Sequence, residues 1–320
     1  LPDVPHRTKR LEKIDYRTFG NWGDVDMSRE LRWFLRDIEE RRDAMIDLYS
    51  SSDITPHMFS FQLSHSVPDE TFAAELRSFV GLTDDQQIKF RKSEVALSFC
   101  IAKLEEKDFL VFQAAQIQPE EMRGLSVAYD ALPIIALNRK DEPSARLFTL
   151  FHELVHLVTK TSGICNDMSQ NTSQQHEIEL FCNRVPGLAL VPAAVLKRNK
   201  RISQIKTYGL DDSYVSAIAR DFAVSKDVIL HRLCDIGIIS KRVCFETQKR
   251  YTEEYRANKI KKTSDGFIPP ALDKGTQVGK LYTKTVLSAY HSDKLTAREA
   301  SNHLLGLGLS HFNAIERWCY

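Results

Sequence analysis

His152 and His156 stand four residues apart with Glu153 next to the first of them, in the run His152-Glu153-Leu154-Val155-His156. On a helix that spacing puts both imidazoles on one face, where they can share one Zn2+ ion, and leaves the carboxylate beside them as a general base toward water. The competing reading makes both histidines ordinary hydrogen-bonded core residues. The surroundings favour the metal. Residues 146–159 are apolar on nearly every face, which marks a helix buried inside a domain. Two histidines and a glutamate are costly to bury there without partners, and a cation supplies the partner. Pro143 suits a first helical turn, and Asp141 and Glu142 put negative charge where the helix dipole favours it, so the helix is predicted to begin near residue 143.

A catalytic zinc needs a third protein ligand and one open position. The next helical stretch, residues 176–185, offers Glu177 and Glu179. These lie about 200° apart on a helix of 3.6 residues per turn, so only one can face the metal. Glu179 is favoured, because Asn183 lies one turn later on the same face and could hydrogen-bond a ligand from behind. Otherwise both acids are solvated charges.

These residues together resemble the ImmA/IrrE metallopeptidases. The resemblance runs through residues 146–157, then Glu179-Leu180-Phe181-Cys182-Asn183, and closes at Leu190-Val191-Pro192. In that family a strand leads into the metal helix, and a second helix carries an E-x-x-A-N element ending in an L-x-P-like turn. Here Cys182 replaces the alanine, and Val185-Pro186-Gly187 stands where the family usually has Phe-Ala-Ala. The resemblance is strongest over residues 109–240. It implies one Zn2+ held by His152, His156 and Glu179, with Glu153 as the base. It also implies a substrate: a partner repressor carrying a helix-turn-helix domain, cut so as to release genes for DNA-damage response, mobile-element excision or anti-phage defence. In such a hydrolysis Glu153 takes the proton of water and later delivers it to the leaving amine. A side-chain donor for the oxyanion is expected, and His176 is a candidate, although a surface histidine is the simpler explanation.

Cys165 follows His156 by nine positions in a polar loop. Thiolate binds zinc avidly, so Cys165 could close the open position as an inhibitory fourth ligand and keep the enzyme latent, or be an inert thiol.

Formal charge is +1 with 27% charged residues, which excludes polyanion binding by bulk charge and confines any nucleic-acid site to a local patch. The six cysteines form no C-x-x-C pair, which argues for a reducing compartment, hence the cytoplasm, and against a disulfide framework. No run of 18 apolar residues and no signal-peptide pattern is present, so no membrane partner is expected. Leu1 in place of a methionine suggests missing upstream sequence.

Three blocks are expected: a mainly helical domain at 1–108, a metallopeptidase domain at 109–240, and a basic linker with a small helical domain at 241–320. Helices are predicted from Ser28 to about Tyr49, Pro68 to Val80 and Asp84 to about Leu104, and short strands at 108–113, 125–129 and 132–137. The fold class is therefore α+β, mostly helical, with a small sheet beside the metal helix. An edge of that sheet could receive the substrate as an added strand. Residues 206–240 have helix-turn-helix spacing around Val224-Ser225, with packing against the peptidase core the favoured explanation. Residues 241–262 interleave basic and aromatic side chains. Lys249, Arg250, Tyr251, Tyr255 and Arg256 are candidate contacts for an activating single-stranded DNA, with a solvated helical face slightly favoured. Residues 264–270 read as a turn and linker, with helices after residue 280 closing the chain. Two functions compete: a zinc endopeptidase acting on a repressor, and a DNA-binding regulator whose metal site is structural or vestigial.

Overall fold

The computed structural model describes residues 15–17, 27–160, 172–259 and 267–320, without the side chains of residues 15–17, 172–175 and 255–259. The chain begins with β1 (Asp15–Arg17), α1 (Arg29–Ser51), α2 (Asp69–Val80), α3 (Asp84–Phe90) and α4 (Ser93–Glu105). A sheet follows, from β2 (Leu110–Ala114), β3 (Gly124–Val127) and β4 (Ile134–Asn138), and leads into α5 (Pro143–Thr159) and α6 (Thr172–Leu190). Then come α7 (Ala193–Arg198), α8 (Arg201–Tyr208), α9 (Asp212–Phe222), α10 (Lys226–Asp235) and α11 (Lys241–Lys259). The chain closes with α12 (Pro270–Val278), α13 (Lys280–His291), α14 (Ala297–His303) and α15 (Phe312–Cys319). The fold is α+β and mostly helical, as the sequence indicates.

The four strands order as β1-β3-β4-β2, with β2 parallel to β4 and the other two pairings antiparallel. Helices cover both faces of this sheet, which explains why β2, β3 and β4 read as buried apolar runs rather than alternating ones. Period-two side-chain geometry then splits the strands between two cores. Val111, Ile135 and Leu137 join a cluster with α2, α4, α5, α6, α9 and α10. Leu110, Phe112, Leu125, Val127, Ile134 and Ala136 join a second cluster with α1 and α12 to α15. The first and last parts of the chain thus share one core across the sheet from the metal helix.

Several boundaries follow from local chemistry. Ser28 caps α1 by accepting from Leu31 N at 3.1 Å. Pro143 opens α5, and Lys160 ends it in the left-handed region at φ 54°. The single helix predicted from Asp84 to Leu104 is instead two. Arg91 takes φ 56°, breaking the rod so that α3 packs on α9 while α4 packs on α5, and its guanidinium reaches Asp221 at 2.7 Å. The linker predicted at 264–270 gives way to a helix at Pro270, where proline fits the first turn of α12. Among the described residues, no helix is long and apolar enough to cross a membrane.

Candidate metal centre

The middle of α5 is buried on every side, and His152, Glu153 and His156 are each 1% exposed. The four-residue spacing brings the two imidazoles together with Nε2 to Nε2 at 3.0 Å. Glu179, on α6, completes the group: its carboxylate lies 3.3 Å from His156 Nε2 and 3.7 Å from His152 Nε2. One atom from each of the three falls within 4.8 Å of the others. Two ligands held about 2.0–2.1 Å from a tetrahedral zinc stand roughly 3.3 Å apart, so these separations bracket what one ion requires. The donor set also fits, since two imidazole nitrogens facing each other beside a carboxylate are better served by a shared cation than by one another. His152, His156 and Glu179 could therefore hold a divalent metal.

Glu153 is placed by the sheet. Ser126 Oγ, on β3, donates to Glu153 Oε2 at 2.9 Å, with both residues buried. Close approach of β3 to α5 depends on Gly124: a Cβ there would collide with Thr149 Cγ2 and lie 3.0 Å from Glu153 Oε1. Glu179 is placed from the far end of α6. Arg77 donates to Ala189 O at 2.7 Å and to Gln87 Oε1 at 2.7 Å, Gln87 Nε2 donates to Leu190 O at 2.6 Å, and Arg232 Nε donates to Val191 O at 3.0 Å. Three buried side chains thus satisfy carbonyls at the end of α6 and in the turn after it, which would otherwise be left without partners.

The expected support from Asn183 is corrected. Asn183 is exposed, and the residue before it makes the contact: Cys182 Sγ lies 3.6 Å from His156 Nδ1. Positions 182 and 183 sit about 60° and 40° to either side of position 179 around the helix. The packing of α6 against α5 turns the Cys182 side inward. His176 is exposed on the first part of α6. Cys165 lies outside the described residues.

The basic stretch on α11 is also corrected in part. Tyr251 is buried, and its hydroxyl donates to Asp212 at 2.8 Å while Lys226 Nζ sits 4.1 Å from the ring centroid. Arg250 grips the same carboxylate at 2.6 and 2.9 Å. That pair ties α11 to the first turn of α9, so Tyr251 does not present a stacking face. Lys249 is exposed, and the side chains of Tyr255 and Arg256 lie outside the described residues. The helix-turn-helix-like pair, α9 and α10, buries Val215, Ile218, Phe222, Ile229, Leu230 and Leu233 in the core shared with α5.

Sequence reasoning missed Ser126, Gly124 and Cys182. Only Cys182 left a signal, as a departure from the E-x-x-A-N pattern.

The helix bearing His152, Glu153 and His156, the carboxylate of Glu179 from the next helix and the small sheet behind them make up the candidate metal centre. Residues 110–234 match the family model described as Peptidase_M78, IrrE N-terminal-like domain, which supports the resemblance to the ImmA/IrrE metallopeptidases over that segment. No curated protein matched the chain. Among solved structures, a Mycobacterium tuberculosis transcriptional regulator aligns at 16% identity with a TM-score of 0.35, over 62% of this chain and 51% of that one. The chain spans about half the length of that regulator, and a likeness at this level carries no argument.

Proposed function

We propose that this chain is a zinc-dependent endopeptidase that cuts a partner repressor bearing a helix-turn-helix domain, and so releases stress, DNA-damage or anti-phage defence genes. The observation that carries this reading is the convergence of His152, His156 and Glu179 on one point beside a buried Glu153. A divalent ion bound there supplies Lewis acidity, polarising a peptide carbonyl and lowering the pKa of water towards about 7. Glu153 removes a proton from the attacking water and returns it to the leaving amine. The Ser126 hydroxyl, fixed on Oε2, sets the plane of that carboxylate before substrate arrives. The two histidines are held by the surrounding core, and the half-exposed Glu179, at 40%, marks the side from which a peptide enters. The strand beside β3 is β1, so an extended substrate would pair with β1 or replace it. A cytoplasmic site of action belongs to this reading, supported by the lack of disulfides at Cys100, Cys182, Cys234, Cys244 and Cys319 among the described residues.

Glu153→Gln tests it: the protein should keep one zinc while cleavage of the repressor stops, and repressor inactivation surviving the change would sink the proposal. Co-expression with a candidate helix-turn-helix repressor, followed by mass mapping of any cut, would identify the scissile bond. The competing DNA-binding reading has little support. The exposed positions of α10 include Asp227, His231 and Asp235, and an intact base has no role in a closed structural site. Activation by single-stranded DNA has the exposed Lys249 in its favour and the buried Tyr251 against it. No change in cleavage rate on adding oligonucleotide removes that partner.

A further inference from the structure

The ligand set by itself leaves open what fixes the ring of His156. An imidazole has two nitrogens, and Nε2 of His156 is committed to the cluster with His152 and Glu179. The other, Nδ1, points to the thiol of Cys182 at 3.6 Å, with both residues buried. We infer that Cys182 is a positioning residue for the metal centre, its sulfur accepting from His156 Nδ1–H so that Nε2 is presented to the ion. This rests on the metallopeptidase reading and adds a part to it.

The chemistry runs in one direction. A histidine that offers the Nε2 lone pair to a cation is neutral and carries its proton on Nδ1, which makes Nδ1 a donor that needs an acceptor. Metal-bound histidines almost always give that proton to a carboxylate, a carbonyl or water, which fixes both tautomer and ring orientation. Here the acceptor is a sulfur lone pair, weaker than oxygen but polarisable and suited to a dry pocket. Cys182 is not itself in the group of atoms that could hold the ion, which comprises His152, His156 and Glu179. It acts through His156. Its place on α6 matters too: Glu179 and Cys182 lie three residues apart, so one face of one helix delivers both the third ligand and the support of the second. A rotation of α6 would disturb two of three ligands at once.

The alternative is a plain packing role, since Cys182 belongs to the core around α5 and cysteine is a good small hydrophobe. The two roles separate experimentally. Loss of packing lowers the stability of the metal-free protein and leaves the affinity of the folded protein for zinc alone. Loss of positioning weakens zinc in a protein that is still folded.

The test uses the whole chain, stripped of metal, with Zn2+ affinity read by chelator competition, ligand geometry by the absorption of the Co2+ form, and folding by thermal unfolding of the metal-free protein. Wild type is expected to bind one equivalent. Cys182→Ala should weaken zinc about tenfold, the lower end of what loss of such a partner costs, and shift the Co2+ spectrum. Cys182→Ser, whose hydroxyl can also accept from Nδ1–H, should recover part of the affinity. If the alanine variant does not fold, Cys182→Val, which keeps apolar bulk and lacks an acceptor, is measured in its place with the same expectation. An alanine or valine variant with wild-type affinity and an unchanged Co2+ spectrum overturns the inference, as does a serine variant no better than alanine. A wild-type protein that takes up no zinc overturns the metallopeptidase reading itself.

Discussion

Ser126 and Gly124 show how much of the site is set by single atoms on a strand 27 to 29 residues away from Glu153 in sequence. A hydrogen bond to a charged group contributes about 1.5–3 kcal/mol, so Ser126→Ala should lower kcat roughly tenfold or more with KM little changed. Steady-state kinetics with the zinc content measured alongside checks this, and an unchanged kcat would remove Ser126 from the machinery. Gly124→Ala drives a methyl into Thr149 and is expected to cost about 1–3 kcal/mol of stability. Thr149→Ser removes the opposing methyl, so the double variant should be less destabilised than the sum of the two changes. Denaturant unfolding of the four proteins measures that coupling.

At the scale of elements, α6 carries the ligand near its first turns and is anchored at its last. Arg77, buried beside Gln87, Ala189 and Asp84, is the main fixture. Arg77→Ala leaves buried acceptors on Gln87 and Ala189 without their donor. It is therefore expected to cost about 2–4 kcal/mol in urea unfolding and to loosen Glu179 at a distance. Weaker zinc binding in this variant, with the fold retained, is the sign that the anchor matters to the site. The Arg91 break matters in the same way, because it lets α3 reach α9 and α4 reach α5 with different faces. At the junction of α12 and α13, Gly279 takes φ 83°, and a Cβ there would sit 2.7 Å from Glu105 Oε1 and 2.8 Å from Val111 O. Glycine is what allows the end of α12 to touch the start of β2.

At the scale of the molecule, that same junction holds a buried acid where the two cores meet. Burial pushes the Glu105 carboxyl up from 4.5 to about 7, against the opposing pull of backbone N–H groups at Leu281 and Lys280. The folded state thus favours the protonated form. The stabilisation from this group is complete below about pH 4.5 and is lost as the pH rises through about 7, a change of about 3 kcal/mol at most. Unfolding free energy measured from pH 4.5 to 7.5 should fall less steeply in Glu105→Gln than in wild type; identical slopes would contradict it. The second core has a further consequence. Residues 110–234 alone lack both α1 and the closing helices that cover Leu110, Phe112, Leu125 and Ala136. That fragment is expected to aggregate, whereas the whole chain should be monodisperse in size-exclusion chromatography.

What the sequence alone determined is local. The reach of His152 and His156 to one point follows from four-residue helix spacing, the start of α5 from Pro143, and the type of β2 to β4 from apolar runs, all of which depend on neighbours along the chain. Spacing narrowed the third acid to Glu177 or Glu179, since only one of the two can share a face with the histidines, and the preference for Glu179 leaned on Asn183, which faces solvent. Tertiary structure decided the rest. Whether Cys182 or Asn183 stands behind His156 depends on the rotation of α6 against α5, and both residues flank Glu179 almost equally around the helix. Ser126 reaches Glu153 only once β3 lies across α5, and Tyr251 became a buried strut only because Asp212 opens α9 beside it. Such partners are chosen by contacts between elements far apart in sequence, where burial and shape, rather than residue type and spacing, set which side of each element faces in.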